Sequence, residues 1–121
     1  MHKIEYEEHV NWFKSLLEDP LRKQYILEKE GIPIGSVRIN IEGESAEISY
    51  LIAEKYRGKG YGTLLLRKIS DEVTEHFKKV HILKGVVKKN NIASRSAFQK
   101  NGFEEKQIQD LNYVQYVKYL N

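Results

Sequence analysis

Three glycines and two basic residues stand together in the stretch Arg57-Gly58-Lys59-Gly60-Tyr61-Gly62-Thr63. The residues before it, 46–53, alternate between apolar and polar, which is typical of a strand, and helical spacing follows it. The first turn of a helix has amide groups without an internal partner, and glycines let an anion approach the backbone. The pattern therefore indicates a turn that binds phosphate or diphosphate. A solvated loop that only connects the two elements is the alternative.

Two other phosphate-binding loops fit this stretch poorly. A Walker loop requires Gly-x-x-x-x-Gly-Lys-Ser/Thr, whereas Lys59 lies between two glycines without that frame. A dinucleotide-binding fingerprint requires Gly-x-Gly-x-x-Gly, and the chain has Gly58-x-Gly60-x-Gly62 instead. Neither nucleotide-binding fold is favoured.

The stretch resembles the Arg/Gln-x-x-Gly-x-Gly/Ala motif of the GNAT superfamily, the acyl-CoA-dependent N-acetyltransferases. Arg57, Gly60 and Gly62 occupy its three defined positions. A second segment, 91–103, is similar to the family's Asn-x-x-Ser/Ala-x-x-Leu/Ala-Tyr/Phe-x-Lys-x-Gly-Phe helix and its exit. The resemblance extends over residues 5–120. It implies transfer of an acetyl group from acetyl-CoA to a primary amine.

Composition limits the other classes of function. A chain of 121 residues, 40% hydrophobic and 31% charged, is predicted to form one domain, residues 1–121. Without Cys it forms no disulfide, which fits the cytoplasm, and no apolar run approaches the ~20 residues that span a bilayer. The net charge of +3 is mild and no nucleic-acid motif accompanies it. The four His residues lack metal-ligand spacing. We therefore expect no membrane, nucleic acid or metal partner.

The remaining pattern predicts the elements that position the loop. They are a helix over 5–18, strands over 24–29, 34–42 and 46–53, a helix from the loop to about residue 78, a strand over 81–87, a helix between Asn91 and Asn101, and a hairpin of 103–109 with 113–120. With the resemblance, this predicts an α+β fold. Its mixed, mostly antiparallel sheet splays between strands 46–53 and 81–87 and has helices on both faces. Family members usually begin with a further strand and helix, which this chain is expected to lack. We expect a second copy to cover the open edge as a homodimer.

The resemblance also implies which residues hold the donor. The loop amides cradle the diphosphate of acetyl-CoA, the backbone of the last strand residues pairs with the pantetheine amides, and one N–H there, assigned to Leu51, polarises the thioester carbonyl. Asn91 and Ser94 match positions that touch the cofactor, although both are also candidates for helix capping. The predicted cofactor-binding set is Leu51, Ile52, Arg57, Gly58, Lys59, Gly60, Tyr61, Gly62, Thr63, Asn91, Ser94 and Phe98.

The acid and base are less completely specified. An amine with a pKa of ~10.4 must lose a proton before it attacks, and Glu47 is the candidate base, with an exposed strand glutamate as the alternative. Many family members use a Tyr as the acid where this chain has Phe98. Phe98 has no proton to give, so it is expected to pack against the thioester or within the core. The leaving thiolate is then expected to take its proton from another tyrosine, from water, or not at all. The sequence does not choose among six tyrosines, which are Tyr50, Tyr56, Tyr61, Tyr113, Tyr116 and Tyr119.

The acceptor is predicted from three further segments, 8–13, 34–38 and 46–50. They resemble the branch that acetylates nucleotide-linked amino sugars, a small-molecule class of amine. A neighbouring branch acetylates the N-terminal amines of ribosomal proteins. A catalytically silent module that binds acyl-CoA is the third alternative, because the first elements and the usual Tyr are both missing.

Overall fold

The computed structural model describes residues 10–14, for their backbone only, and residues 20–120. Seven strands form one sheet in the order β1-β2-β3-β4-β5-β7-β6. Their bounds are β1 Val10–Lys14, β2 Arg22–Lys29, β3 Ile32–Glu42, β4 Ser45–Ile52, β5 Ile82–Lys88, β6 Glu104–Gln107 and β7 Tyr113–Tyr119. Two helices, α1 Tyr61–His76 and α2 Ile92–Lys100, and a 3₁₀ turn at Glu54–Tyr56 complete the described elements.

The sheet is mixed and mostly antiparallel, as predicted. β2, β3 and β4 form an antiparallel meander, and its two turns contain Gly31 at φ +81° and Gly43 at φ +61°. Helix α1 then carries the chain back across the sheet, so β5 lies parallel to β4. β7 pairs antiparallel with both β5 and β6. Every predicted strand after residue 20 is present, with each end moved by no more than two residues.

The predicted splay between β4 and β5 is confirmed. Only residues 45–48 of β4 pair with residues 82–85 of β5. Beyond Ile48 and Gly85 the two strands continue without pairing to each other. β4 nevertheless stays in register with β3 as far as Ile52. The backbone of 49–52 therefore has a hydrogen-bonding edge that no strand of the described sheet occupies.

The helix predicted over 5–18 is wrong for residues 10–14, which form β1 and pair antiparallel with β2. The rest of that predicted helix lies outside the described residues. The prediction that the β2 edge lacks a strand is also wrong, since β1 covers it. The helical spacing of apolar residues in this segment is overridden by pairing with a distant strand.

Both described helices pack on the same face of the sheet. The Tyr50 hydroxyl lies 3.1 Å from the place that a Cβ would occupy at Gly62 of α1. The same hydroxyl is 2.9 Å from the Ser94 Oγ of α2, and the Tyr50 ring lies 6.0 Å from the Phe98 ring. For the part of the chain that the structure describes, the prediction of helices on both faces is therefore wrong.

The core lies between this helix-covered face and α1. Leu65, Ile69 and Val73 of α1, apolar residues at the helical spacing that follows the loop, are fully buried there. The Tyr25 hydroxyl on β2 donates a hydrogen bond of 3.1 Å to the Glu72 carboxylate of α1. This bond connects β2, near the β1 edge of the sheet, to the same helix. The other side of β3, β4 and β5, which we call the open face, carries mostly polar side chains. They are Ser36, Arg38, Asn40, Glu47, Ser49, Leu51, Lys84, Val86 and Lys88.

Neither helix of the described residues has the length and apolar character that crossing a lipid bilayer requires.

Candidate functional site

A cleft of about 480 Å³ lies where the end of β4, the glycine-rich loop and the start of α2 meet. Ten of the twelve predicted cofactor-binding residues line it, and Lys59 and Phe98 are the two that do not. Tyr50, Tyr56 and several small residues of α2 complete the lining. The structure thus brings together the two sequence segments that carried the family resemblance.

A second, smaller cavity of about 180 Å³ occupies the splay between β4 and β5, and we call it the gap. Phe98 lines the gap, together with Ser49, Val86 and Lys88 from the open face. The cleft and the gap share three lining residues, Tyr50, Asn91 and Ser94. The two cavities are therefore neighbours, and together they lead from the loop through the sheet toward its open face.

The loop has the backbone geometry that an anion requires. Gly58 and Gly60 have φ values of +77° and +86°, in the left-handed region that side chains other than glycine rarely adopt. Gly60 precedes α1, and no side chain caps that helix. Among the described residues, the amides of Gly62 and Thr63 have no hydrogen-bond acceptor. Such amides, at the positive end of the helix dipole, suit a diphosphate.

Two contacts fix the loop against β4. The Arg57 Nε donates a hydrogen bond of 3.0 Å to the carbonyl oxygen of Ile52. Gly62 lets the Tyr50 hydroxyl approach α1, since a Cβ there would lie only 3.1 Å from that oxygen. Arg57 therefore holds the loop in place with one of its nitrogens, a role that the sequence did not indicate.

The backbone of β4 shows which amides face the gap. The Ala53 N–H donates to Ile34 on the β3 side at 2.8 Å, whereas the Glu44 carbonyl accepts from His81 on the β5 side at 2.7 Å. Because backbone groups alternate in direction along a strand, odd-numbered residues of β4 face β3 and even-numbered residues face β5. The predicted role of the Leu51 N–H at the thioester is therefore wrong. The amides of Tyr50 and Ile52 face the gap.

Tyr50 and Ser94 join β4 to α2 beside the gap. Their hydroxyl oxygens lie 2.9 Å apart, and either can donate the hydrogen bond. Burial raises the pKa of the Tyr50 hydroxyl, and the hydrogen bond with Ser94 partly offsets that rise. The Asn91 Oδ1 accepts the Ser94 N–H at 3.1 Å, so Asn91 caps α2 as the sequence suggested. Ser94 itself contacts Tyr50 rather than capping the helix.

Phe98 is 2% exposed and forms part of the core beneath the gap. Its ring stacks on Tyr116 with centroids 5.2 Å apart and meets Phe103 edge to face at 5.0 Å. A Cβ at Gly85 would lie 2.5 Å from the Phe98 ring, so β5 needs glycine at that position. Of the two alternatives for Phe98, the structure supports packing within the core.

Glu47 lies on the open face and lines neither cavity. It is exposed and stands in register with Asn40 on β3 and Lys84 on β5. Two residues further along β4, Ser49 lines the gap. Glu47 is thus close to the gap along the strand, although it lies outside its lining.

Sequence reasoning missed the position of Tyr50 and the need for Gly85. Tyr50 was one of six tyrosines between which the sequence gave no choice. It could have been singled out because it continues the buried alternation of Ala46, Ile48 and Ile52. An isolated glycine within a strand pattern, as at Gly85, is likewise a signal of close approach by another group.

Among the described residues, no group of three or more His, Cys, Asp or Glu side chains is placed to hold a metal ion.

Comparison with known proteins agrees with this geometry. Residues 2–103 match the family model described as "Acetyltransferase (GNAT) family". The acetyltransferase PseH of Campylobacter jejuni subsp. jejuni serotype O:23/36 (strain 81-176) is 31% identical over 101 residues. The matched part is 83% of this chain and 62% of that relative, so the chain spans less than two thirds of its length.

Solved structures have the same fold. The crystal structure of C. jejuni PseH in complex with acetyl coenzyme A has a TM-score of 0.72 at 25% identity and matches 86% of this chain and 72% of that one. Spermidine N-acetyltransferase from Vibrio cholerae, in complex with CoA and spermine, has a TM-score of 0.77 at 18% identity. It matches 97% of this chain and 72% of that one, and at this identity it is evidence for the fold alone.

The family model extends over most of the chain, and its two motifs meet at one cleft that adjoins a splayed pair of strands. The chain therefore belongs to the GNAT family of acetyltransferases, the family that takes its acetyl group from acetyl-CoA.

Proposed function

We propose that this protein transfers an acetyl group from acetyl-CoA to the primary amine of a small molecule, by direct attack of the amine in a ternary complex. The observation that carries the proposal is the junction of the cleft and the gap at Tyr50, Asn91 and Ser94. A donor whose diphosphate lies on the loop can then extend its arm into the splay. The acetyl group would there be accessible from the open face.

The donor side is supported by the chemistry of the residues present. The amides of Gly62 and Thr63 would bind the diphosphate, and Lys59, although outside the cleft lining, would add positive charge nearby. The pantetheine arm carries amides of its own, which would pair with the gap-facing amides of Tyr50 and Ile52. We assign to the Tyr50 N–H the polarisation of the thioester carbonyl that the sequence had assigned to Leu51.

On the acceptor side, Glu47 is the proposed general base. A primary amine with a pKa of ~10.4 is mostly protonated at neutral pH, so it must lose a proton before attack. Glu47 is exposed beside Lys84 and lies two residues before Ser49 at the gap. Its carboxylate would accept the proton directly or through one water molecule.

The leaving thiolate requires a proton from a group other than Phe98. Of the tyrosines considered as acids, Tyr50 and Tyr113 line the gap. Tyr56 and Tyr61 line only the cleft. Protonation by Tyr50, by Tyr113 or by water is therefore the proposed route, and Phe98 supports the floor of the gap.

For the acceptor we propose an amino sugar linked to a nucleotide, on the resemblance of segments 8–13, 34–38 and 46–50 to that branch. N-terminal acetylation of a ribosomal or other protein is the alternative. A silent module that binds acyl-CoA is the other alternative, and the apolar Phe98 at the position of the usual acid favours it.

The first experiment measures thermal unfolding with acetyl-CoA and then release of the free thiol with a panel of amines. Acetyl-CoA at about 100 times its dissociation constant should stabilise the fold by ~2.7 kcal/mol. Amino sugars with and without a nucleotide, peptides and polyamines form the panel. If acetyl-CoA does not raise the melting temperature, the whole proposal is contradicted. Stabilisation without thiol release from any amine supports the silent module.

A second experiment tests Glu47. Glu47→Gln should leave stabilisation by acetyl-CoA unchanged and lower kcat by about 10²–10⁴-fold, the usual contribution of a general base. Glu44→Gln, an exposed residue of the preceding turn, is the matched control. Normal turnover by the Glu47 variant would show that another group accepts the proton.

Two lesser proposals complete the account. A cytoplasmic location is proposed from the absence of Cys. A homodimer is proposed in which the sheet edge, now formed by β1, pairs with a second copy. Sedimentation at micromolar concentration tests the dimer, and a monomer that is fully active contradicts it.

A further inference from the structure

Lys88 borders the gap from the last position of β5. The residue is exposed and lies on the open face, with Lys84 and Val86 at alternate positions of the same strand. Within the described part of the chain, it is the one lysine that lines the gap, whereas Lys100 lines only the cleft. A primary amine is thus part of the cavity in which the acetyl group is proposed to lie.

The register brings Lys88 to the level of the proposed thioester. Ile48 pairs with Gly85 at the end of the paired part of β4 and β5. Counted on from there, Tyr50 stands across the gap from Val87, and Lys88 is the next residue of β5. The Tyr50 N–H is the group that we assigned to the thioester carbonyl. The Lys88 side chain, with its flexible four-carbon stem, can therefore reach that carbonyl with its Nζ.

The backbone of Lys88 is held in place, whereas its amine has no partner among the described residues. Lys88 pairs with Tyr113 of β7, and its carbonyl oxygen accepts the Asn91 N–H at 2.9 Å. Its side chain forms no hydrogen bond, ion pair or ring contact with any described residue. By contrast, the Nζ of Lys118 on β7 lies 5.7 Å from the centroid of the Phe103 ring. The Lys88 amine can thus turn into the gap without breaking a contact of the described structure.

We infer that Lys88 is a site of self-acetylation, at which its amine takes the acetyl group of bound acetyl-CoA when no other acceptor is present. The inference rests on the proposed function, because it requires the donor arm to lie in the gap. The Nζ lone pair attacks the thioester carbon, so that a C–N bond forms and the C–S bond breaks. The ammonium form of the side chain loses two protons, one to the leaving thiolate and one to water. The product is a neutral amide.

Proximity accounts for the selectivity of this step. Amines attack only in their neutral form, which is scarce at pH 7, so exposed lysines react slowly with acetyl-CoA from solution. An amine that shares a cavity with the thioester has a far higher effective concentration, provided that the two groups can meet. Acetylation removes the positive charge of Lys88 and adds bulk at the open-face side of the gap.

The experiment incubates the full chain with saturating acetyl-CoA and without an acceptor amine, and peptide mass spectrometry follows acetylation at each lysine. Lys88 should be acetylated at least about tenfold faster than Lys84 and Lys89, two neighbouring lysines that do not line the gap. The rate constant should not depend on protein concentration, because the reaction occurs within one chain. Equal rates at the three lysines, or a rate constant that rises with protein concentration, would overturn the inference.

Free CoA and a conservative variant are the controls. An excess of CoA, which competes for the donor site without carrying an acetyl group, should slow acetylation of Lys88 to the rate at Lys84. An unchanged rate at Lys88 would indicate chemical acetylation from solution and contradict the inference. Lys88→Arg keeps the positive charge and should abolish the fast acetylation, while acetyl-CoA still raises the melting temperature. Fast acetylation that persists in this variant would also contradict the inference.

The melting temperature separates this inference from the proposed function. If acetyl-CoA stabilises the wild type but Lys88 is acetylated no faster than its neighbours, the inference fails and the proposed donor site is retained. If acetyl-CoA does not stabilise the wild type, the proposed function fails and the inference fails with it.

Discussion

The two faces of the sheet differ in the polarity and the packing of their side chains. The face beneath α1 and α2 is apolar and closely packed, and Phe98 and Leu65 are almost fully buried there. On the open face, the side chains of Arg38, Glu47 and Lys84 form no hydrogen bond within the described residues. The gap is the place where the two faces communicate. The covered face thus supplies stability and one side of the cleft, whereas the open face presents exposed charged side chains beside the gap.

The largest expected effect concerns packing on the covered face. Phe98→Ala removes a ring that contacts Gly85, Phe103 and Tyr116. It should lower the free energy of unfolding by about 3–5 kcal/mol, because the lost contacts leave a cavity. Val86→Ala, on the open face of the same sheet and 43% exposed, should cost less than about 0.5 kcal/mol. Urea denaturation of both variants checks the difference, and similar costs would contradict the contrast between the faces.

The next effect compares two glycines that both have positive φ. Gly60→Ala and Gly43→Ala both place a side chain at positive φ, and neither Cβ meets another atom within 4 Å. Each should therefore lose about 1–2 kcal/mol of stability through backbone strain alone. Only Gly60→Ala should also weaken binding of acetyl-CoA, because only that glycine belongs to the loop of the cleft. Calorimetric titration with acetyl-CoA would disprove this if both variants bound equally well.

A smaller effect concerns the junction of the two cavities. Tyr50→Phe removes the hydrogen bond with Ser94 and should cost about 0.5–1.5 kcal/mol of stability. Ser94→Ala should cost a similar amount, and the double variant should cost less than the sum, since both remove one bond. Additive costs in denaturation experiments would show that the two hydroxyls do not interact in solution.

The smallest effect depends on pH. Hydrogen bonds from the Tyr116 hydroxyl, at 2.8 Å, and from Arg95 lower the pKa of the Glu105 carboxyl. A group whose pKa is lower when folded contributes stability above its unfolded pKa of about 4.3 and loses it as the pH falls through the folded value. The wild type should therefore lose stability relative to Glu105→Gln as the pH falls below about 4. Parallel pH profiles of the melting temperature for the two proteins would contradict this.

The geometry of the glycine-rich loop and of the start of α2 could be predicted from the sequence because its signals are local. The positive φ of Gly58 and Gly60, the start of α1 after the loop and the cap at Asn91 all depend on a few consecutive residues. The same holds for the meander, whose alternation and glycine turns are adjacent in the chain. Local chemistry of this kind is readable without knowledge of the rest of the fold.

What could not be predicted depends on partners that are distant in the sequence. The apolar residues of segment 10–14 follow a helical spacing in the sequence. In the structure, however, this segment forms a strand because it pairs with β2. The direction of the Leu51 amide follows from the register of β4 against β3, which no single strand reveals. The placement of α2 on the same face as α1 is likewise unspecified, since β5 and β7 pair antiparallel and no handedness rule applies to them.

The four paired positions between β4 and β5 divide the sheet into two leaves, β1–β4 and β5–β7, with a hinge at residues 45–48. A small rotation about this hinge would widen or narrow the gap while leaving the ladders within each leaf intact. Hydrogen exchange should therefore be faster at the amides of Tyr50 and Ile52 than at those of 46 and 48. A pantetheine arm bound in the gap should slow hydrogen exchange at those two amides. It should also fix the angle between the two leaves.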